Sequence, residues 1–86
     1  MGAHESVLQI DAKLEADPDN QDLLFKKAGC LRELFHFEEA LKILDRLIQG
    51  DEGVGRYYYE RALVYRDQKA YEKALSDLDT VVGLEF

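Results

Sequence analysis

Cys30, His36 and His4 are the residues of this 86-residue chain that could pair as nucleophile and base. A thiol attacks a carbonyl only when a neighbouring base takes its proton and a third group orients that base. The spacing supplies neither. Cys30 falls in the middle of a predicted helix, His36 falls in a turn, and no second ligand stands at a metal-binding interval from either. Cys30 therefore reads as a small packing residue and His36 as a solvated turn residue. Gly50, Gly53 and Gly55 do not follow a strand and lack the lysine of a phosphate loop, so they read as punctuation. Asp11, Asp45 and Asp79 recur at intervals of 34 residues, too far apart in a stack of repeats to share one metal, and read as a repeated surface feature. The expectation is a protein that is not an enzyme, with no cofactor and no metal.

Composition bounds the remaining classes. At 47% hydrophobic and 34% charged the chain is apolar enough to fold as one small domain. Its formal charge of −7 is distributed as −4 over residues 1–20, −2 over 21–54 and −1 over 55–86. A negative field repels phosphate backbones and attracts basic peptides, so no nucleic acid is expected as a partner. No stretch is long and apolar enough to suggest a membrane span. A lone cysteine and the absence of a basic, then apolar leader in Met1 to Ile10 favour a cytoplasmic location, unless the chain is an excerpt of a longer protein. Met1 to Ser6 also satisfies the short pattern for myristoylation at Gly2, of a kind that recurs by chance.

The organising feature is a repeat. Phe37-Glu38-Glu39-Ala40-Leu41 is echoed by Tyr71-Glu72-Lys73-Ala74-Leu75, 34 residues on. At the same offset Leu24 meets Tyr58, Ala28 meets Ala62, Leu31 meets Tyr65, Arg32 meets Arg66, Leu44 meets Leu78 and Asp45 meets Asp79. A constant period with small, aromatic and aliphatic residues in fixed places marks one supersecondary unit stacked on copies of itself.

Helical spacing fills in the units. Residues 5–16 predict a first helix, ended by Asp17-Pro18 because proline disfavours helical geometry in the residue before it. Asn20 caps a second helix to about Leu34, with Leu24, Ala28 and Leu31 as its inner stripe. A third runs from Phe37 to Gln49 with Phe37, Ala40, Leu41, Leu44, Leu47 and Ile48 inward, and Gly50 is expected to end it in the left-handed conformation. A fourth spans Arg56 to Gln68, its inner stripe Tyr58, Ala62 and Tyr65. The last spans Tyr71 to Gly83, with Ala74, Leu75, Leu78, Val81 and Val82 inward. Glu52 stands where Pro18 stands one repeat earlier, which suggests a looser joint.

At these positions the chain resembles the tetratricopeptide repeat (TPR) family. Leu24 and Tyr58 stand at the family's tryptophan site, Ala28 and Ala62 at its glycine, Leu31 and Tyr65 at its tyrosine, Ala40 and Ala74 at its alanine, and Leu44 and Leu78 at its phenylalanine. Lys27 and Arg61 depart from the usual leucine, and their charged ends are expected to escape to water. The resemblance implies an all-α, right-handed superhelical solenoid of antiparallel helix pairs with about five helices. It divides one domain, residues 1–86, into a half repeat at 5–20, the second helix of a preceding unit, and full repeats at 21–54 and 55–86.

In function the resemblance implies a protein–protein interaction module that holds a partner peptide or helix on a concave face. The residues falling on that face are Asp22, Phe25, Gly29, Arg32 and Glu33, with Arg56, Tyr59, Leu63, Arg66 and Asp67. The lysine and asparagine clamp by which some members hold a terminal carboxylate is missing, since Phe25, Gly29, Tyr59 and Leu63 replace it. The alternative is self-association as a homodimer, or service as a scaffold segment of a larger protein. Its candidate surface is Tyr71, Leu75, Val82, Leu84 and Phe86 on an uncapped final helix.

Overall fold

The computed structural model describes residues 2–85, the side chains of Ala3, His4 and Glu85 excepted. The described chain is five helices, α1 Ala3–Ala16, α2 Gln21–Glu33, α3 Phe37–Gly50, α4 Gly55–Asp67 and α5 Tyr71–Glu85. Consecutive helices pack as helical hairpins, an all-α arrangement consistent with a repeat solenoid. The radius of gyration, 12.9 Å, exceeds the roughly 12 Å expected of a globule of this length. Met1 and Phe86 lie outside the described residues, as does the His4 side chain. One candidate base and one self-association residue fall there.

Local chemistry sets the helix ends. Asn20 Oδ1 accepts from the Leu23 amide at 3.0 Å, the expected cap of α2. The hairpin turns close by one device used twice. His36 N–H donates to Leu31 O and Phe35 N–H to Arg32 O; 34 residues on, Ala70 N–H donates to Tyr65 O and Lys69 N–H to Arg66 O. These paired bonds satisfy the carbonyls that a helix end leaves free. They require a left-handed residue, and Phe35 and Lys69 both take φ of 64° although neither is glycine. Gly50 departs from expectation. It is the last residue of α3 without a positive φ, and Asp51, extended at φ −155°, ends that helix instead. The connection that follows is held by Asp51 Oδ1 accepting from the Gly53 amide and by the Tyr58 hydroxyl donating to Glu52 O.

The core runs between the helices through Leu24, Ala28 and Leu31 of α2, Ala40, Leu44, Leu47 and Ile48 of α3, and Tyr57, Tyr58, Ala62 and Val64 of α4. The alanines expected at the helix crossings, Ala28, Ala40, Ala62 and Ala74, are all buried. Two expectations about α4 and α5 need correction. Tyr57 and Val64 are among the most deeply buried side chains and Tyr65 only half-buried, because α4 packs on α5, α3 and α2 and so buries more than one stripe. Of the α5 residues expected inward, Ala74 is buried and Val81 half-buried against the core. Leu75, Leu78 and Val82, expected inward, are exposed, because no described element covers that side of α5.

Candidate functional site

The ten residues assigned to the concave face do not form one free surface. Arg56 Nη2 lies 3.1 Å from Asp22 Oδ1, and its guanidinium carbon stands 5.4 Å over the Phe25 ring and 5.6 Å over Tyr57. Phe25 packs on Tyr57 with ring centroids 5.7 Å apart. Arg32 Nε pairs with Glu60, and its Nη1 lies 3.4 Å from Asp67 Oδ2. Burial pulls the Arg32 guanidinium down, but the bonds from Glu60 and Asp67 outweigh it and hold it above its ordinary value. Asp22, Phe25, Arg32, Arg56 and Asp67 thus tie α2 to α4. Gly29 lies on the same seam, where an added Cβ would stand 3.9 Å from Glu60 Oε1, an ordinary contact distance. Glu33 is exposed.

The remaining three behave differently. Tyr59, Leu63 and Arg66 of α4 line a groove of about 450 Å³ together with Tyr71, Ala74, Leu75 and Leu78 of α5. These three members of the concave-face set and two of the self-association residues, Tyr71 and Leu75, therefore share one depression. Val82 and Leu84 are exposed further along α5. Among the described residues Arg66 pairs with the adjacent Asp67 alone, at 2.9 Å, and its side chain is exposed.

The charged departures from the family pattern do not escape to water. Lys27 Nζ lies 2.7 Å from Asp11 Oδ1, linking α2 to α1. Arg61 Nη1 lies 2.9 Å from Asp45 Oδ1, linking α4 to α3 at the same sequence interval. Asp11 and Asp45, read from sequence as surface decoration, are thus the anions that receive the next unit's cation. Arg61 also donates from Nε and Nη2 to the two oxygens of Asp77, at 2.8 and 2.7 Å. The bonds from Asp77 raise the guanidinium above its ordinary value against an opposing burial penalty, with Asp45 adding to the rise. Asp77 is buried, and sequence reasoning missed it. The available signal was a carboxylate in place of Ile43 of the previous repeat, 16 residues after an arginine.

Cys30 is half-buried, and burial, then the nearby Glu33 charge, raises its thiol above the ordinary value. His36 is exposed, its Nδ1 4.0 Å from Glu39. Among the described residues no helix is long and apolar enough to cross a membrane.

No protein-family model matches the chain. Sperm-associated antigen 1 of Homo sapiens, a TPR-containing protein, is 37% identical over 59 residues, 69% of this chain and 6% of that protein. The likeness is confined to a short segment of a much longer relative. The five-helix fold is compatible with the TPR type.

Proposed function

We propose that the chain is a protein–protein interaction module that takes a partner peptide or helix on the surface of α4, with Tyr59, Leu63 and Arg66 as its groove-lining contacts. The observation that carries this reading is the apolar groove at which those three residues meet Tyr71, Leu75 and Leu78. Soluble chains seldom leave so many large apolar side chains on one depression unless something covers them, and an aromatic beside an arginine is the composition of an interface anchor. The 34-residue repeat and the similarity to a segment of Sperm-associated antigen 1 support a TPR-type module. Binding rather than catalysis also agrees with a Cys30 thiol held protonated by burial.

The test is affinity capture with the 86-residue protein against Tyr59→Ser with Arg66→Ala, and against Lys42→Ala, which lies on an exposed part of α3. A partner retained by Lys42→Ala and lost by the double variant supports the reading, provided circular dichroism shows an unchanged fold. Partners captured equally by all three would reject it.

A second reading, homodimerisation through α5, is favoured by the exposure of Tyr71, Leu75, Val82 and Leu84. Sedimentation across a concentration series separates the two. A dimer broken by Val82→Glu supports self-association; a monomer at every concentration excludes it.

A further inference from the structure

The second helix of each unit is present three times, as α1, α3 and α5, and each copy carries an aliphatic, an aspartate and a second aliphatic at the same places: Ile10, Asp11 and Leu14; Leu44, Asp45 and Ile48; Leu78, Asp79 and Val82. Two copies are covered and one is not. α2 covers α1, and α4 covers α3, so Ile10 is buried, Leu44 is 0% exposed and Ile48 8%. Leu78 and Val82 are 36% and 58% exposed.

The covering helices share a pattern read twice from this chain. α2 presents Leu23, Leu24, Lys27, Cys30 and Leu31; α4 presents Tyr57, Tyr58, Arg61, Val64 and Tyr65. Each has apolar residues at i, i+1, i+7 and i+8 and a base at i+4. That base is the partner of the aspartate beneath it, Lys27 of Asp11 and Arg61 of Asp45. Where the unit below also offers an arginine, the covering helix adds an acid at i+3, Glu60 against Arg32. The third copy offers both charges without either answer: Asp79 is exposed with no ion pair among the described residues, and Arg66 reaches only its own neighbour Asp67.

We infer that the α4–α5 groove takes an amphipathic helix of a partner protein with apolar residues at i, i+1, i+7 and i+8, an acid at i+3 facing Arg66 and a base at i+4 facing Asp79. The inference rests on the interaction-module reading and specifies the partner. Apolar burial supplies the affinity, and the acid–base pair sets register and orientation, since a reversed helix would bring base to Arg66 and acid to Asp79.

The probe is a labelled synthetic peptide of residues 53–69, which carries the pattern, titrated by fluorescence anisotropy into the full 86-residue protein. Saturable binding is expected, at least tenfold weaker for Asp79→Arg or Leu78→Glu in the protein, and recovered when Asp79→Arg protein meets Arg61→Asp peptide. Binding that follows Asp45→Arg instead of Asp79→Arg means that the peptide has replaced α4, and overturns the inference. A protein that dimerises through this face and excludes the peptide overturns it in favour of a second copy. Should a free peptide be too short-lived as a helix, the same segment joined after Phe86 by a flexible linker raises its effective concentration. The fusion is expected to unfold at a higher temperature, with part of the gain lost on Asp79→Arg, and no gain overturns the inference. A captured partner lost by Tyr59→Ser yet indifferent to Asp79→Arg rejects this inference and leaves the broader reading standing.

Discussion

Arg61 clasps Asp77 through two parallel bonds, Nε to one carboxylate oxygen at 2.8 Å and Nη2 to the other at 2.7 Å, while its remaining nitrogen reaches Asp45 at 2.9 Å. One side chain thereby joins α3, α4 and α5. Its guanidinium carbon also stands 5.6 Å over the Tyr58 ring and 5.8 Å over Tyr65, so the stem and faces are packed while the donors are bonded. The two carboxylates are not equivalent: Asp77 is buried and Asp45 half-exposed.

That inequality sets the first prediction. Removing one member of a largely buried pair strands the other, at roughly 3–5 kcal/mol. Arg61 keeps Asp45 and some water, so Asp77→Ala is expected to cost about 2 kcal/mol, against less than about 1 kcal/mol for Asp45→Ala. Replacing the pair together, Arg61→Leu with Asp77→Ile, is expected to recover most of the Asp77→Ala loss, since the preceding repeat carries Ile43 at that place. Urea denaturation of the four proteins measures this, and equal losses for both aspartates would show that Asp77 has no special role.

The crossing alanines give a second prediction. Ala40 of α3 is fully buried in the core cluster, whereas Ala74 also lines the open groove. Ala40→Phe is expected to cost about 3 kcal/mol, at the upper end of overpacking penalties, because no neighbour can move aside. Ala74→Phe is expected to cost about 1 kcal/mol, its ring being free to spill into the groove. Thermal melts of the two variants read the asymmetry directly, and it disappears if the groove is filled in solution.

Most of the fold was legible because a 34-residue period repeats the same small and large residues. Ala28 with Ala62 and Ala40 with Ala74 located the crossings, and Asn20 and Pro18 located helix ends. What stayed hidden depended on the neighbours of a helix rather than on its own pattern. Tyr57 and Val64 lie off the stripe through Tyr58, Ala62 and Tyr65, and only contact with helices on more than one side buries them. Leu75 and Val82 have the pattern of core residues but lack a cover. Arg61 looked like a surface intruder at a leucine site until Asp77 and Asp45 were seen around it. The candidate site was legible as a set of positions on α2 and α4. Its division into a bonded seam and an open groove was not, because residues 34 apart, such as Asp22 and Arg56, pair only once the units stack.

The turns offer a third prediction. Lys69 holds φ of 64°, a region that costs an L-residue about 1–2 kcal/mol and glycine almost nothing. Glycine also adds freedom to the unfolded chain, which returns part of that gain. Lys69→Gly is therefore expected to stabilise the fold by about 0.5 kcal/mol. Phe35→Gly should gain less, because the Phe35 ring meets Phe37 edge to face with centroids 5.9 Å apart. A loss of stability in Lys69→Gly would mean that the lysine side chain itself supports the turn.

The Cys30 thiol supplies the last prediction, in which pH is the variable. Burial and then Glu33 raise its folded pKa above the value of about 8.5 typical of an unfolded cysteine. A group that holds its proton more tightly when folded contributes no pH-dependent loss below the unfolded value. Stability then falls as pH rises from there through the folded value, because the unfolded chain releases the proton first. Cys30→Ala should flatten this part of the curve. Reaction with a thiol reagent at pH 8 is expected to be several-fold slower in the folded protein than in urea, since the thiolate is the attacking species. The Glu33→Gln variant should react somewhat faster than the parent, with one of the two raising influences removed. A Cys30 that reacts equally fast folded and unfolded would place the sulfur in open solvent and remove the packing role assigned to it.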